Sequence, residues 1–288
     1  MHSGYADRTV TKAPNWHGLV ALDTLFNNMT TGLFLVAGIG ELAAPQVFAV
    51  VARAAYPIAL ALLLADLACL VLDLGDPLRF HHMLRVFKPT SPMSLGTWCL
   101  TVYALPLTVL ALLSIRPILS LDWLRKLAII VGLLPALGTA LYKGVLFSTT
   151  AQPGWKDARW LGGYLASSAV MLGAAQLLLL SGVTGQPAAA AALRPTLELL
   201  LVLNAVTLGL VIRDVRATLA RAYESTRLSE LALLVVGVGV LAPLYLLAVG
   251  RPMSVTVAIL LILLVALFVR SVIVRLPHRL PEPPGRGL

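Results

Sequence analysis

The feature that most constrains this chain is a succession of apolar stretches, each long enough to cross a bilayer, repeated along almost its whole length. At about 1.5 Å per helical residue, roughly 20 residues cover the ~30 Å hydrocarbon core. Eight stretches meet that length: 18–40, 46–72, 93–115, 126–147, 160–182, 196–212, 230–250 and 253–274. The chain is 59% hydrophobic and only 12% charged, whereas soluble domains run about 25% charged. An all-α integral membrane protein with about eight transmembrane helices is therefore predicted.

Bundle packing suggests two four-helix units, 18–150 and 151–275, between a polar segment 1–17 and a Pro-rich tail 276–288. The small-residue stretch VTGQPAAAAALRP at 183–195 reads as a linker outside the membrane between spans five and six. The first sixteen residues carry Asp7, Arg8 and Lys12 and have no apolar core, so the first span is expected to stay in the mature protein.

With eight spans both termini share a face, which then holds sixteen of the 22 basic residues. The positive-inside rule makes that face cytoplasmic and the chain a multi-pass protein of the cell inner membrane. The formal charge of +9 thus has a membrane explanation. Nucleic-acid binding would need a soluble basic surface with stacking aromatics, so membrane lipid and not nucleic acid is the expected surrounding.

Cys69 and Cys99 lie inside predicted spans and form no metal-binding pair, and no metal ligand set is visible. Haem would want paired histidines within spans. His2 and His278 fall in tails, His81 and His82 in a loop, and only His17 sits at a span mouth. HExxH, GxSxG and P-loop patterns are absent from the sequence.

Function is sought where the apolar pattern breaks, because an ionisable group inside a span costs on the order of 2.5–3.5 kcal/mol on insertion scales. In the first span Asp23 and Asn27 share a helix face, and Thr30 and Thr31 continue it a turn further on. In the second, Asp66 and Asp73 lie seven residues apart on one face, as a proton path from an aqueous surface would require. Span four ends in Tyr142 and Lys143. Tyr142 could hydrogen-bond a carbonyl oxygen, while Lys143 is expected to snorkel to the interface. Glu198 and Asn204 in span six read as structural, and helix-to-helix hydrogen bonding remains open for the asparagines of span one.

The loop between spans two and three is the densest unusual segment. It reads DLGDPLRF at 73–80, then HHMLRVF, then KPTSPMSLGTW at 88–98, with Thr90 and Ser94 expected to cap the next helix. A rigid basic loop at a membrane mouth looks like a docking platform, with Asp76, Arg79, Arg85, Lys88, Ser91 and Trp98 as its contact residues.

These strings resemble the DLGRPxRF and PTSPMSxGxW signatures of the NrfD/PsrC family, the membrane subunits of polysulfide-reductase-like complexes. LYKGVLFS at 141–148, followed by Pro153 and Trp155, resembles that family's YTG segment and Pro-Trp loop. The stretch LFNNMTTGLFLVAG resembles its first helix. The resemblance covers 16–180 well and the last three spans weakly. It implies an eight-helix, haem-free subunit without an iron–sulfur cluster of its own, binding menaquinone or ubiquinone. It also implies electron exchange with a ferredoxin-like iron–sulfur subunit attached to a molybdopterin or multihaem catalytic subunit.

Carried over singly, the family's quinone-binding Tyr becomes Tyr142 and its span-one positions become Asp23 and Asn27, with His17 beside them at the span mouth. Asn27 and Asn28 stand where the family commonly has Gly-Gly, Asp23 where it often has Tyr and Lys143 where it often has Thr. A more polar, rearranged pocket is expected. Asp23, Asp66 and Asp73 would carry protons between the pocket and water. Two other functions stay open: a structural anchor without quinone chemistry, and a secondary transporter, against which the lack of paired interrupted helices argues.

Overall fold

A computed structural model of the protein describes residues 18–74, 76–115 and 121–280. Eight of its helices are long and apolar enough to cross a membrane. They are α1 (Gly18–Ala43), α2 (Pro45–Leu72), α3 (Pro92–Ile115), α4 (Asp122–Ser148), α5 (Leu161–Val183), α6 (Pro187–Ala222), α7 (Ser225–Val249) and α8 (Pro252–Arg275). No β-strand occurs among the described residues, so the protein is an all-α multi-pass membrane protein.

One boundary departs far from expectation. The stretch 183–195 is not an irregular linker: the chain turns at 184–186, with Gly185 at φ +64°, and α6 begins at Pro187 and runs 36 residues. Proline is tolerated at a first helical position because its missing N–H would be unsatisfied there anyway. The alanines after it are the best helix formers, so small residues that resemble a linker extend the helix instead. Pro195 is absorbed inside it.

Helix α1 is the axis of the molecule. Of its most apolar stretch 72% is buried, against 33% for α2 and α3, and it packs on α2, α4, α5 and α8. Its closest approach is to α5: a Cβ added at Gly32 would lie 1.7 Å from the Ala169 carbonyl oxygen, and one at Gly173 only 2.1 Å from the Gly32 backbone. Membrane helices gain no hydrophobic drive from one another, so small residues that admit close van der Waals packing hold such seams. One continuous apolar core includes Leu33 of α1, Leu107 of α3, Leu172 of α5 and Ile259 of α8, and so crosses the 150/151 division. Helix α7 is the least covered, with 17% burial, and a π-helical stretch (Leu234–Leu241) interrupts it.

Candidate functional site

At the end of the bundle where α1 begins and α2 and α4 finish, three ionisable side chains meet. Lys143 Nζ lies 2.7 Å from Asp23 Oδ1 and 3.0 Å from Asp66 Oδ1, and it donates to the Asp23 carbonyl oxygen at 3.2 Å. All three residues are buried, Asp66 completely. The helices bring them to one level. Asp23 is five residues into α1, Lys143 five before the end of α4 and Asp66 six before the end of α2, so each lies about 7–9 Å inside its helix end.

Lys143 therefore does not snorkel outward as expected. Its ammonium is shared by two buried carboxylates, a stronger attraction in a low-dielectric interior than at the interface. The Asp23 Oδ1 contact is an ion pair off the favourable hydrogen-bond direction, since that oxygen has no aligned donor.

Asn27 and Asn28 lead this centre in two directions, because neighbouring helical residues point about 100° apart. Asn27 Nδ2 donates to Asp66 Oδ2 at 3.1 Å, leaving Asn27 Oδ1 buried with no donor among the described residues. Asn28 Nδ2 donates to the Ala140 carbonyl at 3.0 Å, while its Oδ1 accepts from Arg270 Nη2 at 2.6 Å. Arg270, 1% exposed, also donates to Ser168 Oγ at 3.0 Å, and no carboxylate pairs with it among the described residues. Two carboxylates, one ammonium and one guanidinium are thus gathered around α1. Lys143 and Arg270 belong to the sixteen basic residues assigned to one face, yet both turn into the bundle. The signal for Arg270 was its isolation, an arginine five residues before the end of an otherwise apolar helix.

Tyr142 is buried beside this centre, with Lys143 Nζ 5.7 Å from its ring centroid. A Cβ at Gly96 would fall 2.0 Å from the Tyr142 ring, so only glycine leaves room for it there. The PTSPMSxGxW-like segment of α3 thereby packs directly on the tyrosine of α4. Asp73 follows α2 as its cap residue, its N–H donating to Cys69 O at 3.1 Å, two turns beyond Asp66. His17 lies outside the described residues.

The loop between α2 and α3 folds into a 3₁₀ segment (Pro77–Leu84). Asp76 and Arg79 pair at 2.9 Å in the open. Ser91, not Thr90 or Ser94, stands at the N-cap of α3: its Oγ accepts from the Ser94 N–H at 3.4 Å. Ser94 instead ties the loop down, its Oγ accepting from the Lys88 N–H at 2.9 Å and donating to Val86 O at 3.3 Å. Trp98 meets Phe87 edge to face at 5.9 Å, and its buried Nε1 has no acceptor among the described residues. Leu78, Phe80, Val86 and Phe87 are all exposed, and Arg85 and Lys88 lie exposed among them.

A second ionic cluster occupies the opposite end of the same four helices. Arg125 Nε and Nη2 hold both oxygens of Glu41, the latter at 3.0 Å; Tyr56 OH donates to Glu41 Oε2 at 2.9 Å; and Arg125 Nη1 donates to Ser114 Oγ at 3.2 Å. Between the two clusters, Tyr103 OH donates to the Thr30 carbonyl at 3.0 Å, and Phe34 packs edge-on against both Tyr103 and Tyr56. Asn204 of α6 donates to Ser167 Oγ of α5 at 2.9 Å, which is helix-to-helix bonding as expected for it.

A family model described as polysulfide reductase, of the NrfD type, matches residues 2–279, nearly the whole chain. No curated protein matches the sequence significantly. With an all-α multi-pass fold, the loop strings between α2 and α3 and that match, the chain belongs to the NrfD-type polysulfide reductase family, membrane subunits of redox complexes.

Proposed function

We propose that this subunit binds a quinone or quinol beside Asp23, Asn27 and Tyr142 and exchanges electrons with an iron–sulfur partner seated on the 73–98 loop. Proton transfer at the buried carboxylates accompanies the reaction. The observation that carries the reading is the Asp23–Lys143–Asp66 centre, buried in the span and flanked by Tyr142. Menaquinone or ubiquinone, when bound, supplies two-electron, two-proton redox chemistry. The residues fit such a group: Asn27 Oδ1 is a buried acceptor without a donor among the described residues, which suits a quinol hydroxyl. Tyr142 supplies a phenol, able to donate to a carbonyl oxygen.

Lys143 is a positioning residue: its ammonium donates to the Asp23 carbonyl oxygen and to Asp66 Oδ1 and pairs by charge with Asp23 Oδ1. Two carboxylates against one ammonium leave one negative charge when both are ionised, so a single proton brings the triad to neutrality. Asp23 and Asp66 are thus suited to hold a proton in transit, and Asp73, two turns nearer the helix end, extends the path toward water.

The loop supports docking because it combines exposed apolar residues with Arg79, Arg85 and Lys88 on a frame fixed by Ser91 and Ser94. The iron–sulfur subunit would in turn join a molybdopterin or multihaem catalytic subunit. The basic bias puts both termini and this loop on the cytoplasmic face of the inner membrane. The test is quinol kinetics of the purified complex carrying Asn27→Leu or Asp23→Asn. A raised KM in the first and slower turnover in the second are expected, both with normal assembly. Wild-type quinone kinetics in both assembled variants would leave the chain an anchoring role only.

A further inference from the structure

Away from the α1–α4 site, α6, α7 and α8 enclose a cleft of about 310 Å³ that opens on the outer surface of the bundle. Its walls are apolar, among them Val215 from α6, Val235 from α7 and Phe268 from α8, and Arg216 is the only charged residue lining it among the described residues. Along α6 the lining runs from Leu208 to Leu219, about 16 Å, the depth of one leaflet of a hydrocarbon core ~30 Å thick. The π-helical turn of α7 contributes Val235 and Val236 to the wall, so the irregular backbone lines the cleft.

The lining runs from Leu208, near the middle of α6, to the end where α6 finishes, α7 begins and α8 finishes. That end is basic. Arg216 is exposed and has no ion pair among the described residues. Arg213 only approaches Asp214 at 3.7 Å, and Arg221 and Arg275 lie at the same helix ends. Arg216 sits six residues before the end of α6, about 9 Å inside it, where a long side chain carries its charge to the headgroup level.

We infer that this cleft is a binding site for one anionic phospholipid, with an acyl chain along the α6–α8 walls and the phosphate at Arg216. An apolar slot one leaflet deep takes a chain, and an unpaired guanidinium at its mouth selects a phosphate of net negative headgroup charge. A quinone offers Arg216 no charge, and the site lies apart from Asp23 and Tyr142.

The test is native mass spectrometry of the full-length chain in its complex, after detergent exchange and addition of phosphatidylglycerol or phosphatidylcholine. The wild type is expected to retain one phosphatidylglycerol in preference to phosphatidylcholine. Arg216→Gln should reduce that preference roughly fivefold, the factor equivalent to about 1 kcal/mol per basic residue at an anionic surface. Ala232→Trp, which fills the cleft from α7, should remove both lipids. Quinol turnover should stay at the wild-type value in both variants. Equal retention of the two lipids, an unchanged preference in Arg216→Gln, or a quinone or the 281–288 tail found in the cleft would each overturn the assignment.

Discussion

The two ends of the α1–α4 bundle each bury an ionic cluster, and the two differ in how completely charge and hydrogen bonding are satisfied. At the Glu41–Arg125 end one carboxylate meets one guanidinium. Both carboxylate oxygens are bonded, Tyr56 adds a donor, and Ser114 takes a further guanidinium N–H. Charge and hydrogen-bonding capacity close on themselves there. At the Asp23–Lys143–Asp66 end two carboxylates share one ammonium, and Asn27 Oδ1 has no donor among the described residues. A satisfied buried network rigidifies a protein, whereas an incompletely satisfied one is where a ligand or a proton can be taken up. Burial of charge in a span does not by itself mark a reactive site; the imbalance at the Asp23–Lys143–Asp66 end is the feature on which the proposed quinone site rests.

Substitutions can break this contrast. The largest effect is expected from Lys143→Met, which leaves two carboxylates buried without a cation. Loss of one partner of a buried pair costs about 3–5 kcal/mol, so thermal unfolding of the purified complex should shift sharply downward. Adding Asp23→Asn should recover part of the loss, and a double-mutant cycle without such coupling would show the pair to be energetically independent.

At the other end Glu41→Gln keeps shape but removes the charge facing Arg125. It should lower stability by about 1.5–3 kcal/mol, the range for hydrogen bonds to charged groups, while quinol turnover per assembled complex stays at the wild-type value. Altered quinone kinetics in this variant would erase the distinction between the two ends.

Asp23→Asn leaves Lys143 its Asp66 partner, so it should assemble normally and chiefly slow turnover. A larger solvent deuterium isotope effect than in the wild type is the expected signature of a proton step becoming limiting. The smallest effect is expected from Tyr142→Phe, which keeps the ring against Gly96 and removes only the phenol oxygen. Loss of an ordinary hydrogen bond, about 0.5–1.5 kcal/mol, corresponds to a roughly two- to twelvefold weaker quinone affinity, readable as KM in the assembled complex. An unchanged KM would place the quinone away from this tyrosine.

Much of the fold was legible because a span is a local property. Apolar length alone identifies α1 to α5 and α8 to within a few residues, since every such run must satisfy its backbone internally to lie in lipid. The exception is α6, where Ala188 to Ala192 look like a spacer by composition yet extend a helix started by Pro187. Within the site, Asp23, Asn27 and Asp66 stood out as breaks in apolar runs, and Tyr142 through its family-like segment.

Lys143 was visible but misassigned. Five residues from a helix end, snorkelling and inward pairing are equally open until the neighbouring helices are placed. Arg270 and the Glu41–Arg125 pair were missed for the same reason. Their partners lie 242 and 84 residues away in the chain, and nothing local to either residue encodes that distance.

The sequence by itself determined the class of molecule, the count of about eight spans and how far Asp23, Asp66 and Lys143 lie from their helix ends, because residue count along a helix converts directly to distance along its axis. Only the tertiary structure decided which groups at equal depth face one another. That choice is made by the rotation of each helix about its axis, and close contacts such as Gly32 on Gly173 and Gly96 on Tyr142 set that rotation. A few tens of degrees there separate a lysine at the lipid surface from one that holds two carboxylates.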